Sequence, residues 1–159
     1  MNSNTHLGTL FRSYLAEEGI LREEEQLAIK EMFAQPRPPM WFLVSGSREF
    51  PDESLVRRTI REAIQPTDTL LHGGARGVDT WCAEEAQSRR ATVLRRPAQW
   101  ETYGRSAGMR RNTDMVNELV EQADPYHVFL FWDGESRGTA HMISMVHDRQ
   151  LPHTLILPE

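Results

Sequence analysis

A single cysteine and a single lysine stand among the 159 residues of this chain. Cys82 has no second thiol to pair with, so neither an internal disulfide nor a CxxC metal or redox site can be built, and a reducing compartment is expected. It sits in an expected helix (78–90), where the reading is a small buried residue rather than a nucleophile. Long apolar runs are missing too. Nothing approaches the ~20 residues needed to span a bilayer. The opening MNSNTHLGTLFRSYL lacks a basic-then-apolar leader. A cytoplasmic protein without a membrane partner is therefore expected. The histidines, among them His127, His141, His147 and His153, are scattered singly, so no metal set is expected.

What is present belongs to a globular domain. Hydrophobic residues make up 39% and charged residues 26% of the chain, too apolar for a disordered segment. A chain of this length reads as one domain with at most a small appendage, burying roughly 70% of the surface exposed when unfolded. The formal net charge is −5, which disfavours nucleic acid as a partner, because duplex binding rests on many phosphate contacts from lysine and arginine. The charge is unevenly spread. Residues 88–112 hold seven arginines (89, 90, 95, 96, 105, 110 and 111) against Glu101 alone. A local arginine cluster in an acidic chain points to a small anionic ligand.

Two segments differ in pattern. Residues 1–35 read as two helices, one from Thr5 or Thr9 to Gly19 and one from about Arg22 to Phe33 with an acidic first turn. Gln-Pro-Arg-Pro-Pro (35–39) then forms a stiff linker that cannot continue a helix. Residues 1–39 are thus expected to be a helical appendage. Its helices are too short to be stable alone, so they are expected to pack on the core or on another copy, giving a homo-oligomer. From Met40 onward the apolar runs 40–46, 68–73, 91–96, 126–132 and 153–157 alternate with amphipathic stretches at 52–65, 76–90, 105–123 and 138–150. Most runs are continuous rather than alternating, the mark of strands buried on both faces. The expected fold is α/β: a Rossmann-like three-layer sandwich around a five-stranded parallel sheet over residues 40–159.

In such a sheet, ligands sit beyond the carboxyl ends of the strands. The loops there are rich in glycine and small polar residues: Gly46, Ser47 and Arg48 after the first strand; Gly73, Gly74, Arg76, Gly77 and Asp79 after the second; Asp133, Gly134, Glu135, Gly138 and Thr139 after the fourth. Glycine loops that lead into helices let backbone N–H groups face an anion. None matches GxxxxGK[ST] or strict GxGxxG, which sets aside a P-loop NTPase and an ordinary dinucleotide dehydrogenase. After the third strand, Trp100 and Tyr103 offer a flat wall for a base, and Arg110 or Arg111, followed by Asn112, can grip phosphate. Asp79 or Asp133 can take ribose hydroxyls.

The ordered set VSGSREF (44–50), LHGGARGVD (71–79), W..YG..AG..RN..M (100–115) and WDGESRGTAHMI (132–143) resembles the SLOG superfamily, which includes Smf/DprA and Lonely-Guy relatives, and within it the YspA-like, YpsA-related branch. The resemblance covers about residues 40–157. It implies a five-stranded parallel sheet and a nucleotide or ADP-ribose-like ligand, sensed or processed. Lonely-Guy-type phosphoribohydrolases carry PGGxGTxxE. With Gly138-Thr139 aligned to its GT, Met142 stands where the glutamate belongs, and Asn112 replaces the lysine that follows the arginine matched by Arg111. The leading expectation is nucleotide binding, possible catalysis falling to Asp133 and Glu135 (or Asp79) in a hydrolase of N-glycosidic or phosphate bonds.

Overall fold

The computed structural model describes residues 22–158, so the helix expected between Thr5 and Gly19 lies outside the described residues. The elements run α1 (Arg22–Phe33), β1 (Trp41–Gly46), α2 (Glu53–Ala63), β2 (Thr69–His72), α3 (Val78–Ser88), β3 (Thr92–Arg95), the short α4 (Trp100–Tyr103), α5 (Ala107–Gln122), β4 (Tyr126–Phe131), α6 (Arg137–Asp148) and β5 (His153–Ile156). A 3₁₀ turn (Gly104–Ser106) joins α4 to α5. Every strand pairing is parallel, and the sheet order is β3-β2-β1-β4-β5. The fold class expected from the alternating runs is therefore the one observed.

Successive residues of a strand face opposite sides of the sheet, and here both sides are dry. Phe42, Val44, Leu70, Phe129 and Phe131 meet Val56, Ile60, Val78 and Cys82 on one face. Leu43, Leu71, Val128 and Leu130 meet Met115, Leu119, Met142 and Val146 on the other. This is why β1 and β4 read as unbroken apolar runs. Strand β3 is the exception: it closes an edge, and Thr92 and Arg95 face solvent. Helix ends are set by local chemistry. Asp52 accepts the Leu55 N–H at 3.0 Å and starts α2, and Ser136 caps α6 by accepting from Thr139.

Helix α1 packs into the same core. Ile29 and Phe33 are fully buried, and the Phe33 ring meets Phe42 and Phe129 edge-on at 5.4 and 5.6 Å. Gln26 Nε2 donates to Thr59 Oγ1 of α2 at 3.1 Å. The Pro-rich stretch is tied down as well, since Arg37 donates to both carboxylate oxygens of buried Asp68 at 2.8 and 2.7 Å. Asp68 also accepts the Met40 and Gln65 N–H groups. Every donor around that carboxylate is used.

Candidate functional site

The sheet reverses its direction of growth between β1 and β4, and a crevice opens where the loops beyond these two strands part. A cleft of about 710 Å³ lies there, within the size range of small-molecule sites. Strand β1 contributes Ser45 and Gly46 to it, and Arg48 and Glu49 follow on the next loop. Helix α3 contributes Asp79, and the first turn of α6 contributes Arg137, Gly138 and Thr139. Two helix starts thus meet one cleft, and their first-turn N–H groups have no intrahelical acceptor.

Tight packing at the base depends on glycine. A side chain at Gly46 would collide with Val78, its Cβ 2.5 Å from Cγ1. Gly77 has φ +79°, and a Cβ there would lie 2.7 Å from the Arg48 carbonyl oxygen. The β1 and β2 loops can therefore touch, which draws Arg48 and Asp79 to the same cleft.

Asp79 is the most unusual group of the site. It is 5% exposed. Oδ2 accepts the Gly73 and Ala75 N–H groups at 3.2 and 3.1 Å and folds the β2–α3 loop. Oδ1 is buried with no partner among the described residues. Burial raises the Asp79 pKa to about 6, against the pull of the Ala75 and Gly73 amides and of the Arg111 and Arg48 charges. Beside it, His72 accepts the Gly74 N–H at Nδ1 (3.0 Å). Burial, with Arg95 and Arg111 nearby, lowers its pKa to about 4 and keeps it neutral.

Arg111 reaches from α5 to donate to the Gly73 carbonyl through Nη1 and to Asn112 Oδ1 through Nε at 3.0 Å. Burial lowers its pKa, with Asp79 opposing that shift and Arg48 adding to it. Asn112 in turn donates to the Gly138 carbonyl at 3.4 Å, so one side chain pair links the loop after β2 to the start of α6. Arg48, Arg105, Arg111 and Arg137 all line the cleft. None of the four forms an ion pair among the described residues, whereas Arg57, Arg61, Arg76 and Arg96 elsewhere do.

The β4–α6 loop is organised by Asp133. Its Oδ1 accepts the Glu135 and Ser136 N–H groups, both at 2.8 Å. The Asp133 N–H donates to Ser47 Oγ at 3.0 Å, lacing this loop to the one after β1. Partial burial would raise the Asp133 pKa, but those amides and the Ser47 hydroxyl hold it below the ordinary value. A carboxylate so held is a weak proton donor near neutral pH. Glu135 lines the cleft and is exposed. Met142 is fully buried in the core cluster with Leu43, Met115 and Val128. The position aligned with the motif glutamate thus points into the sheet, one turn below Thr139, and not at the cleft.

Of the residues singled out from sequence, Gly46, Arg48, Asp79, Trp100, Arg111 and Asn112 line the cleft, together with Asp133, Glu135, Gly138 and Thr139. Six do not. Ser47 is buried beneath the loop it ties, and Gly73 sits under Arg111. Gly74 faces Arg95, and Gly77 faces the Arg48 backbone. Arg76 pairs with Glu49 at the exposed rim (2.9 Å), and Gly134 is exposed, with open space where a Cβ would stand. Sequence reasoning left out Gly108 and Met109, which also line the cleft. Their signal was the spacing to Trp100, whose half-exposed ring lies 3.4 Å from where a Gly108 Cβ would be. Arg105 was legible only as one arginine of the cluster. Tyr103 and Arg110 stand outside the cleft, with the Arg110 guanidinium 4.5 Å over the Tyr103 ring.

Among the described residues, no cluster of three or more potential metal ligands occurs, and no helix is long and apolar enough to cross a membrane.

Residues 40–103, from the start of the sheet through α4, match the family model of the YspA, cpYpsA-related SLOG family. The resemblance carried by the motifs is borne out over that segment. The chain is also 29% identical over 119 residues to the Gene 61 protein of Mycobacterium phage D29, an alignment covering 69% of this chain and 90% of the phage protein. No solved structure matches.

Proposed function

We propose that this protein binds a nucleotide or nucleotide-derived ligand, a nucleoside phosphate or an ADP-ribose-like molecule, in the switch-point cleft. One observation carries the reading: Arg48, Arg105 and Arg111, without ion-pair partners among the described residues, converge with the first turns of α3 and α6 on a single cleft of nucleotide size. Helix starts and guanidinium groups both favour phosphate. The exposed face of Trp100 gives a base something to stack on. The matched SLOG family is related to nucleotide binding and processing, which agrees with this assignment. A sensing role fits better than turnover, because Asp133 is committed to its loop and Met142 to the core. The buried Cys82 thiol is compatible with a reducing cytoplasm.

Titration calorimetry with AMP, ADP-ribose and adenosine tests the reading. The phosphorylated ligands should bind at least tenfold more tightly than adenosine, the effect of one charge-assisted hydrogen bond. Equal affinities would place the phosphate elsewhere, and no binding by any of the three would overturn the proposal.

A hydrolytic reading retains one supporting observation. Asp79, with its pKa pushed up to about 6, lies in the range of a general acid or base near neutral pH. Release of adenine or of ribose 5-phosphate from AMP, abolished in Asp79→Asn, would turn the binder into an enzyme.

A further inference from the structure

A buried acceptor without a donor is costly, and native interiors rarely leave one. Among the described residues Asp79 Oδ1 is such an acceptor, and Asp79 lines the cleft. None of the neighbouring described groups donates to it. The Gly73 and Ala75 amides are spent on Oδ2. Arg111 spends Nη1 and Nε on Gly73 and Asn112, and forms no ion pair with Asp79. The Gly74 amide is spent on His72.

We propose that Asp79 reads a ribose hydroxyl: the ligand donates an O–H to Oδ1 while its phosphate faces Arg48 and Arg111, so the cleft selects sugar phosphates carrying a free diol over bare anions and deoxy analogues. The proposal rests on the cleft being a nucleotide site and names the group that decides which nucleotides enter. A lone anion would satisfy the arginines but leave the carboxylate both unpartnered and repelled. A sugar phosphate answers both needs at once. The neighbouring groups keep Asp79 available for this role. Arg111 from α5 and Arg48 from the β1 loop supply positive charge, His72 at the end of β2 stays neutral, and on α3 itself burial keeps the Cys82 thiol protonated. Below about pH 6 the carboxyl gains its own proton and loses the strength of an ionised acceptor.

The test compares AMP with 2′,3′-dideoxy-AMP on the full chain by calorimetry across pH 5 to 8. Both ligands carry the same phosphate, so its titration cancels in the ratio of affinities. The wild type should favour AMP about tenfold or more at pH 8, with the ratio shrinking as pH falls through about 6. Asp79→Asn keeps an acceptor for the loop amides, and its ratio should drop to about threefold or less and stay flat with pH. Equal binding of the two ligands by the wild type overturns this proposal alone. So does a ratio that survives in Asp79→Asn, or one that ignores pH in the wild type should the variant fail to fold. No binding of either ligand overturns the nucleotide reading and this one with it.

Discussion

Two buried aspartates flank strand β2, and they are treated in opposite ways. Asp68, before the strand, takes both ends of the Arg37 fork and two backbone amides. Asp79, after the strand, has one oxygen satisfied and one without a partner among the described residues. Both are out of water, so exposure does not distinguish them. The difference is the end of the sheet each occupies. At the amino end, chain segments cross over the strands and bring their own donors. At the carboxyl end, the loops part at the switch point, and Arg48, Arg105 and Arg111 stand without ion-pair partners among the described residues. Complete pairing makes Asp68 a structural clamp, whereas the incomplete pairing of Asp79 in a cleft is the observation on which the proposed ligand contact rests.

Four experiments sharpen or break that contrast. The largest effect is expected from putting a carboxylate where the sheet is dry. Met142→Glu buries an unpaired charge in the core and should destabilise by more than about 4 kcal/mol, or fold only at acid pH with the glutamate protonated. A stable variant with hydrolytic activity would show that α6 turns its Met142 face to the cleft. Asp68→Ala should cost about 3–5 kcal/mol in denaturant unfolding, because the Arg37 guanidinium and two amides lose their acceptor. A loss below about 1 kcal/mol would mean the clamp is ornamental.

Asp79→Asn should behave in the opposite direction. The folded-state pKa of Asp79 lies above its unfolded value, about 6 against 3.8. Its contribution is therefore fully present below about pH 4 and lost as pH rises through about 6, reaching a penalty of at most ~3 kcal/mol at neutral pH. The variant should be more stable than wild type at pH 8, and the gain should vanish by about pH 4. His72 and His127, held neutral with pKa values of about 4 and about 3, impose the reverse trend on both proteins: their stabilisation is present above about pH 6.5 and is lost as pH falls. That trend cancels in the difference between the two. A variant less stable at every pH would make Asp79 a second clamp, and the contrast would fall. The smallest effect separates two arginines of neighbouring loops. Arg48→Ala should weaken AMP binding about tenfold, whereas Arg76→Ala, which breaks only an exposed pair with Glu49, should change it less than about twofold. The reverse order would move the phosphate to the rim.

Much of the fold was legible because burial on both faces writes itself into composition. Runs such as Phe42-Leu43-Val44 and Val128-Phe129-Leu130-Phe131 cannot alternate with polar residues when each face of the strand meets a helix. The edge position of β3 was not legible, since four residues with a half-apolar pattern say nothing of their neighbours. The candidate site was legible as loops: glycine and small polar residues directly after strands, together with the rule that parallel sheets bind at their carboxyl ends, located Gly46, Asp79, Asp133 and Thr139 in the cleft. It was not legible as individual roles. Arg76 reads in sequence like Arg48, yet one pairs with Glu49, 27 residues away, and the other does not.

The sequence by itself thus determined the parallel α/β architecture and the sheet edge at which the cleft opens, because hydrophobic periodicity and strand-to-helix turns are local properties of the chain. Only the tertiary structure decided that Phe33 joins the main core, that Met142 faces the sheet instead of the cleft, and that one oxygen of Asp79 has no donor among the described residues. Those outcomes depend on which distant groups arrive at the same place. A carboxylate is a clamp or a recognition group according to the donors that tertiary packing brings to it, and no short window of sequence contains them.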